Sequence, residues 1–366
     1  MTMNILAFDP GRVRLDYSLF RDAERKPIIT GHVPEPDMTA DPADAVADAV
    51  GSALNYGEIG LCVVRVVFGG EAFKTCAIAD WLVLERLHEM IPQSPLHLPR
   101  AIETVRAVMR CRPEIPVVLD FETAFFAGLP ERETVYAIDP GLSAALRLRR
   151  YGYHGIYHRA ACHEAAHKAA NREAPASPLR ILSICLEPKP EVAAVVGIRP
   201  VYVTSGSTPL EGLPGRTSCG DLDPSLPGLL MRRELGPERV DELLTKESGL
   251  SALAGRMTDL DEILTVDDPS LNAARDYFLY RLLQACGAGA AAMGGLDGVA
   301  LSGRYRKAAG QIREWVVSSF AERFLSGKLR YGVTMLEASR DRIMADDAMG
   351  TAPQILARIK DAAPVP

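Results

Sequence analysis

Leu61-Cys62-Val63-Val64-Arg65-Val66-Val67-Phe68-Gly69-Gly70-Glu71 decides how this chain is read. Four valines bounded by a Gly-Gly pair predict a strand over Leu61–Phe68 buried on both faces, as in a parallel sheet. Arg65 interrupts that apolar run. A guanidinium in such a strand needs an anionic partner. The partner is either an internal carboxylate, Glu71 or another, or an anionic ligand, and the strand alone leaves both open.

Upstream, Ile5–Phe8 is a short apolar run, Asp9-Pro10-Gly11 makes a turn, and Leu15, Tyr17 and Leu19 alternate with period two. That pattern predicts a β-hairpin. Residues 36–55 carry Ala and Val at helical spacing. Downstream, Ile78–Met90 reads as a helix with Leu82, Leu84 and Leu87 inward, Arg100–Cys111 as another, and Pro116–Leu119 as a buried strand. A second half begins near Phe125. Loop and helix run to Asn171, strands follow at Ile181–Cys185, Val192–Val196 and Gly298–Ser302, and helices at Pro237–Thr245, Leu271–Met293 and Ala308–Leu325. Residues 204–228, rich in Gly, Pro, Ser and Thr, read as a long loop. Strands and helices mixed in each half argue an α/β protein with two related lobes.

Composition narrows the function classes. At 366 residues, 48% hydrophobic and 24% charged, the chain is ordinary globular material large enough for two cores. A balance of 41 basic against 47 acidic residues gives no electrostatic case for nucleic acid or an anionic membrane surface. The apolar stretch Ala285–Leu296 is broken by glycine and falls short of a span of about 20 residues. Met1–Gly11 has neither a basic start nor a signal-type apolar stretch. Seven scattered cysteines with no CxxC pair suit free thiols, so a cytoplasmic setting is expected.

Four of the seven histidines, His154, His158, His163 and His167, fall within fourteen residues. His163-Glu164-Ala165-Ala166-His167 matches the zinc pattern H-E-x-x-H, which on a helix puts two imidazoles on one face beside a carboxylate. Its alternative is a solvated helix face, since Lys168 and Arg172 follow and no third ligand stands at a familiar offset. In Arg150-Tyr151-Gly152-Tyr153-His154-Gly155 a histidine flanked by glycines sits where its ring reaches either a ligand or a cap.

Together these segments resemble the acetate kinase family, of the actin-like and sugar-kinase-like phosphotransferases. Arg65–Glu71 is similar to R-V-V-H-G-G-E with Phe68 for His, Ser94–Pro99 to A-P-L-H-N-P, Phe121–Phe126 to F-D-T-A-F-H, and Arg150–His158 to R-Y-G-F-H-G-T-S-H. Thr208–Leu213 with Gly220–Pro224 is similar to T-P-L-E-G-L…G-D-I-D-P; Lys246–Gly255 and Ala290–Asp297 fit later segments. The resemblance implies two duplicated actin-like ATPase-type (ribonuclease H-like) α/β lobes with a central cleft: residues 1–124 plus 349–366, and residues 125–348 bearing the nucleotide-site and dimer elements. It implies a homodimer, and a phosphoryl group moved between ATP, with Mg²⁺, and the carboxyl group of acetate or propionate.

The resemblance also implies roles. Arg65 matches the carboxylate-binding arginine, His154 the histidine that steadies the transferring phosphoryl group, and Glu122 the catalytic aspartate, one methylene longer. Val67, Leu96, Tyr153 and Pro209 match the acyl pocket, with Tyr153 for Phe, and His97 matches a substrate-side histidine. The second active-site arginine aligns with Ser218, two residues after Arg216. The phosphate loop H-L-G-N-G reads Cys185-Leu186-Glu187-Pro188-Lys189, where Pro188 removes a backbone donor and Glu187 adds negative charge. The nucleotide loop G-G-I-G-E-N reads Gly303-Arg304-Tyr305-Arg306-Lys307-Ala308; Gly303, Arg304, Arg306 and Lys307 are its nucleotide-binding candidates. Asp9-Pro10-Gly11 is similar to the first phosphate motif of the wider superfamily, which makes Asp9 the Mg²⁺ candidate. Two functions follow: a divergent carboxylate kinase weakened by these replacements, or a non-catalytic relative that keeps a pocket for a small carboxylate or acyl phosphate.

Overall fold

Ile5, Leu6, Ala7 and Phe8 are wholly buried because their strand has a neighbour on each edge and helices against it. The computed structural model describes residues 3–11, 14–22, 24–34, 43–172, 175, 177–233, 235–321 and 329–361. Arg12 and Val13 of the N-terminal loop, residues 36–42 of the first expected helix and residues 322–325 of the last lie outside them. Contacts divide the chain into two units, Met1–Ala127 with Ala338–Pro366, and Gly128–Glu337.

In the first unit β1 (Asn4–Pro10) pairs antiparallel with β2 (Arg14–Arg21), and β2 with β3 (Ile29–Pro34). On its other edge β1 pairs parallel with β4 (Ile59–Val66), and β4 with β6 (Val117–Phe121); the two-residue β5 (Ala77–Ile78) closes the edge. Parallel neighbours need crossovers, and helices supply them. Ala43–Leu54 buries Ala45, Val46, Ala49, Val50 and Ala53 on one face, and Leu98–Cys111 buries Ala101, Ile102, Val105 and Val108. The helix Arg340–Asp361 packs on β1, β4 and β6 through Met344, Ala345 and Ala348.

The second unit repeats the plan. β7 (Arg180–Leu186), β8 (Glu191–Val196) and β9 (Arg199–Val203) form an antiparallel meander, while β10 (Gly298–Gly303) and β11 (Val333–Met335) add in parallel beyond β7. The order β11-β10-β7-β8-β9 reproduces β6-β4-β1-β2-β3, with the same strand senses. This is the duplicated α/β architecture that the resemblance implies. The helix Asn272–Met293 covers the sheet through Ala274, Phe278, Leu282, Cys286 and Gly289. Gly289 permits the approach: a Cβ there would stand 2.7 Å from Leu182.

The structure departs from the sequence reading at several places. β3, β5, β9 and β11 are strands that the pattern of apolar residues does not mark; β5 and β11 have two and three residues. Asp80 caps the helix Trp81–Glu89, accepting from Val83 N at 2.8 Å, so the helix starts later than Ile78. Leu84 and Leu87 face the core, whereas Leu82 is 58% exposed. The second unit runs to Glu337, and the helix from Arg340 packs on the first sheet. Among the described residues no helix is long and apolar enough to cross a membrane.

Phe278 lies wholly buried under the second sheet. Phe278→Ala is expected to lower unfolding free energy by about 3–5 kcal/mol, measured by urea denaturation of the full chain; a loss below about 1 kcal/mol contradicts this packing.

Candidate functional site

Three adjacent strand ends of the first unit bring three of the expected site residues together. Asp9 stands near the end of β1, Arg65 near the end of β4, and Glu122 immediately after β6, its N–H bonded to Val66 O at 3.0 Å. Because β1, β4 and β6 are parallel, all three side chains leave the sheet at its carboxyl edge, where open α/β sheets place their ligands. Arg340, the first residue of the last helix, joins them.

Arg65 Nε donates to Glu122 Oε1 at 2.6 Å and Nη1 to Asp9 Oδ1 at 2.9 Å. Arg340 Nη1 donates to Asp9 Oδ2 at 3.1 Å, and its Nε lies 3.2 Å from Glu122 Oε1. Two guanidinium groups and two carboxylates thus alternate in a ring of zero net charge. The ring is sequestered: side-chain exposure is 14% for Arg65, 15% for Asp9, 5% for Arg340 and 0% for Glu122. Burial alone raises the Asp9 carboxyl, but the charges and hydrogen bonds of Arg65 and Arg340 outweigh it and hold the group well below the usual carboxylate range. Arg65 is held charged: burial and Arg340 pull its pKa down, and Asp9 with Glu122 more than reverse them.

The internal partners of Arg65 are therefore Asp9 and Glu122; Glu71 is exposed. One part of Arg65 stays uncommitted, since Nη2 donates to no other described residue. Val67, half-buried, follows β4; Leu96 is exposed, and His97 precedes the helix Leu98–Cys111. Gly69 is required here, because a Cβ would come within 2.7 Å of the Phe121 ring, and its N–H bonds Thr123 Oγ1 at 2.9 Å.

Asp9 does not fit the Mg²⁺ role expected of it. Each of its oxygens accepts from a guanidinium, and Glu122 Oε1 faces both arginines. Among the described residues no group of three or more His, Cys, Asp or Glu is placed to hold a metal ion. The H-E-x-x-H residues form a solvated face of the helix Gly155–Ala170: His163 and His167 are exposed, and Glu164 pairs with Lys168 at 3.0 Å.

In the second unit His154 sits at φ +52°, preceding that helix, behind Gly152 at φ +71°. A buried carboxylate anchors this turn. Glu191 accepts from Tyr153 N at 3.0 Å and lies 3.1 Å from His158 Nε2, whose Nδ1 is 2.8 Å from Ser183 Oγ. Tyr153 is buried, and its hydroxyl donates to Ser207 O at 2.9 Å, two residues before half-buried Pro209. His154 Nε2 is 3.1 Å from Lys189 O; a carbonyl only accepts, so the proton sits on Nε2. Lys189 is inward, donating to Leu210 O and Leu213 O, and burial pulls its amine down to about 8.

At the ends of β7 and β10 an internal anion occupies the loops expected to take nucleotide. Glu187, 2% exposed, accepts from Arg304 N at 2.9 Å and Nε at 3.1 Å, with Nη2 at 2.9 Å. Gly303, at φ +102°, allows the approach, since a Cβ would stand 2.3 Å from Leu186 O. Arg306 donates to the carbonyls of Leu336 and Glu337, and Lys307 is exposed. Arg216 is exposed, its N–H bonded to Pro188 O at 2.6 Å. Arg340 and Glu191 escape sequence reading. Arg340 opens the charged run Arg340-Asp341-Arg342, which reads as a solvated helix start, and Glu191 opens an apolar strand as an edge charge would.

The sequence pattern of the acetokinase family matches residues 43–327. The chain belongs to the acetokinase family. An acetate kinase of Coprothermobacter proteolyticus is 39% identical over 246 residues, covering 66% of this chain and 60% of that one. An acetate kinase of Streptomyces coelicolor is 35% identical over 271 residues, 73% of this chain and 66% of that one. The chain thus spans under two thirds of the length of these curated relatives. The crystal structure of Porphyromonas gingivalis acetate kinase superposes with a TM-score of 0.82 at 25% identity, covering 96% of this chain and 100% of that one. Arg65, Glu122, His154 and Glu187 lie inside the acetokinase match, while Asp9 and Arg340 lie outside it.

Because Asp9 is held below the ordinary carboxylate range, its contribution to stability is complete above the unfolded value of about 3.9 and is lost as pH falls through the folded value. Asp9→Asn, which leaves buried guanidinium charge unmatched, is expected to cost about 3–5 kcal/mol at pH 7. It should also flatten the fall in stability below about pH 4. Urea melts of both proteins from pH 7 to acid check this; parallel curves contradict it.

Proposed function

We propose that this chain is a divergent phosphotransferase of the acetate and propionate kinase type, moving a phosphoryl group between ATP and a short-chain carboxylate at a reduced rate. The observation that carries this reading is the bracing of Arg65. Asp9 and Glu122 fix two nitrogens of its fork, and Nη2 is left to take one oxygen of an organic anion. A phosphoryl in flight is charged and loosely bonded, so catalysis is positioning and charge neutralisation. In this reading Arg65 holds the acyl group, and Val67, Leu96, Tyr153 and Pro209 are the acyl-pocket positions by family resemblance. His154 donates toward the transferring group once Nε2 leaves the Lys189 carbonyl. By family resemblance the protein works as a cytoplasmic homodimer with ATP as donor.

The rate is reduced because the phosphoryl side is altered. Ser218 stands at the second arginine, and Glu187 engages Arg304. Losing one charge-stabilising donor typically costs about 10²–10³ in rate. The Glu187–Arg304 pair also favours a second reading, a relative that binds a small carboxylate or acyl phosphate without turnover.

Hydroxamate trapping with MgATP and acetate tests the proposal. Acyl hydroxamate above background, lowered about 10²-fold or more by Arg65→Ala and partly kept in Arg65→Lys, supports the kinase. Silence with saturable, ATP-independent acetate binding selects the second reading, and neither turnover nor binding overturns both. Glu187→Gly frees the Arg304 backbone and guanidinium. By calorimetry it is expected to tighten ADP binding about tenfold, roughly 1.4 kcal/mol, and unchanged affinity removes Glu187 as the obstruction.

A further inference from the structure

The ring in the first unit bears on more than the acyl group. Asp9 and Glu122 are two carboxylates at the ends of the strands that flank β4, and such a pair recruits a divalent cation when its oxygens are open. Here they are not open. Arg65 and Arg340 occupy both Asp9 oxygens and crowd Glu122 Oε1 from two sides. Arg340 is anchored from behind as well. It begins a helix whose next turns bury Met344, Ala345 and Ala348, and its neighbour Asp341 accepts from Ser18 Oγ of β2 at 2.6 Å. The guanidinium is therefore part of the packed framework and not a loose surface group.

We infer that the Arg340 guanidinium takes the place of a divalent cation between Asp9 and Glu122, so that the protein itself holds no Mg²⁺ at these carboxylates. Two opposed charges of each sign sum to zero, and a dication added to the ring would leave it at +2 in a sequestered site. Mg²⁺ also needs oxygen lone pairs at about 2.0–2.1 Å in near-octahedral array, and Asp9 Oδ1, Asp9 Oδ2 and Glu122 Oε1 already face guanidinium nitrogens at 2.6–3.2 Å. Removing Arg340 leaves one guanidinium against two carboxylates, and Arg340→Glu creates three carboxylates around Arg65. The inference concerns this chain's own charges and is independent of whether the protein turns over ATP.

Manganese titration of the full chain, followed by electron paramagnetic resonance without nucleotide, tests it. Wild-type protein and Arg340→Lys are expected to show no Mn²⁺ binding that Asp9→Asn abolishes. Arg340→Glu is expected to bind Mn²⁺ at least about tenfold more tightly than wild type, with the gain lost in the Asp9→Asn, Arg340→Glu double variant. Wild-type thermal stability should not rise with added Mg²⁺ or Mn²⁺, a readout that stands even if Arg340→Glu fails to fold. Wild-type Mn²⁺ binding that disappears in Asp9→Asn overturns the inference, as does a folded Arg340→Glu protein that binds no more Mn²⁺ than wild type.

Discussion

A guanidinium inside a buried strand is the constraint around which the first unit is arranged. Arg65 is tolerated between Val64 and Val66 only because Asp9 and Glu122 meet it from the two flanking strands at 2.9 and 2.6 Å. An unpaired charge at that depth would cost several kcal/mol. Parallel pairing of β1, β4 and β6 delivers the three residues together, and the helix from Arg340 adds the fourth charge that balances them. Fold and site are one arrangement here, since displacing any of these strand ends leaves a buried ion without its partner.

Much of this was legible in residues alone. The valine-rich run around Arg65 implied both the strand and a need for an anion, and the hairpin after Asp9 followed from alternation and a Pro-Gly turn. Family resemblance supplied the duplicated architecture, which the matched strand orders bear out. What was not legible depends on contacts far apart in sequence. Arg340 meets Asp9 across 331 positions, and nothing local separates it from a solvated helix start. β5 and β11 are too short for periodicity to reveal, and Leu82 faces solvent because two positions from Leu84 is about 200° around an α-helix.

The second unit shows the same device in another form. Glu187 lies with its carboxylate on the backbone N–H and guanidinium of Arg304, as an external anion would at a loop end. Glu191 is buried where Tyr153 N and His158 converge on it. In both units, then, internal carboxylates meet guanidinium groups at strand ends. Nη2 of Arg65 stands apart as a donor in this set that no described residue claims.

The most direct measurement is a crystal structure of the full chain grown with propionate. The account predicts one carboxylate oxygen within hydrogen-bond distance of Arg65 Nη2, with the contacts of Arg65 to Asp9 and Glu122 and of Arg340 to Asp9 retained. Propionate bound elsewhere, or Arg65 released from either carboxylate to receive it, would contradict the account.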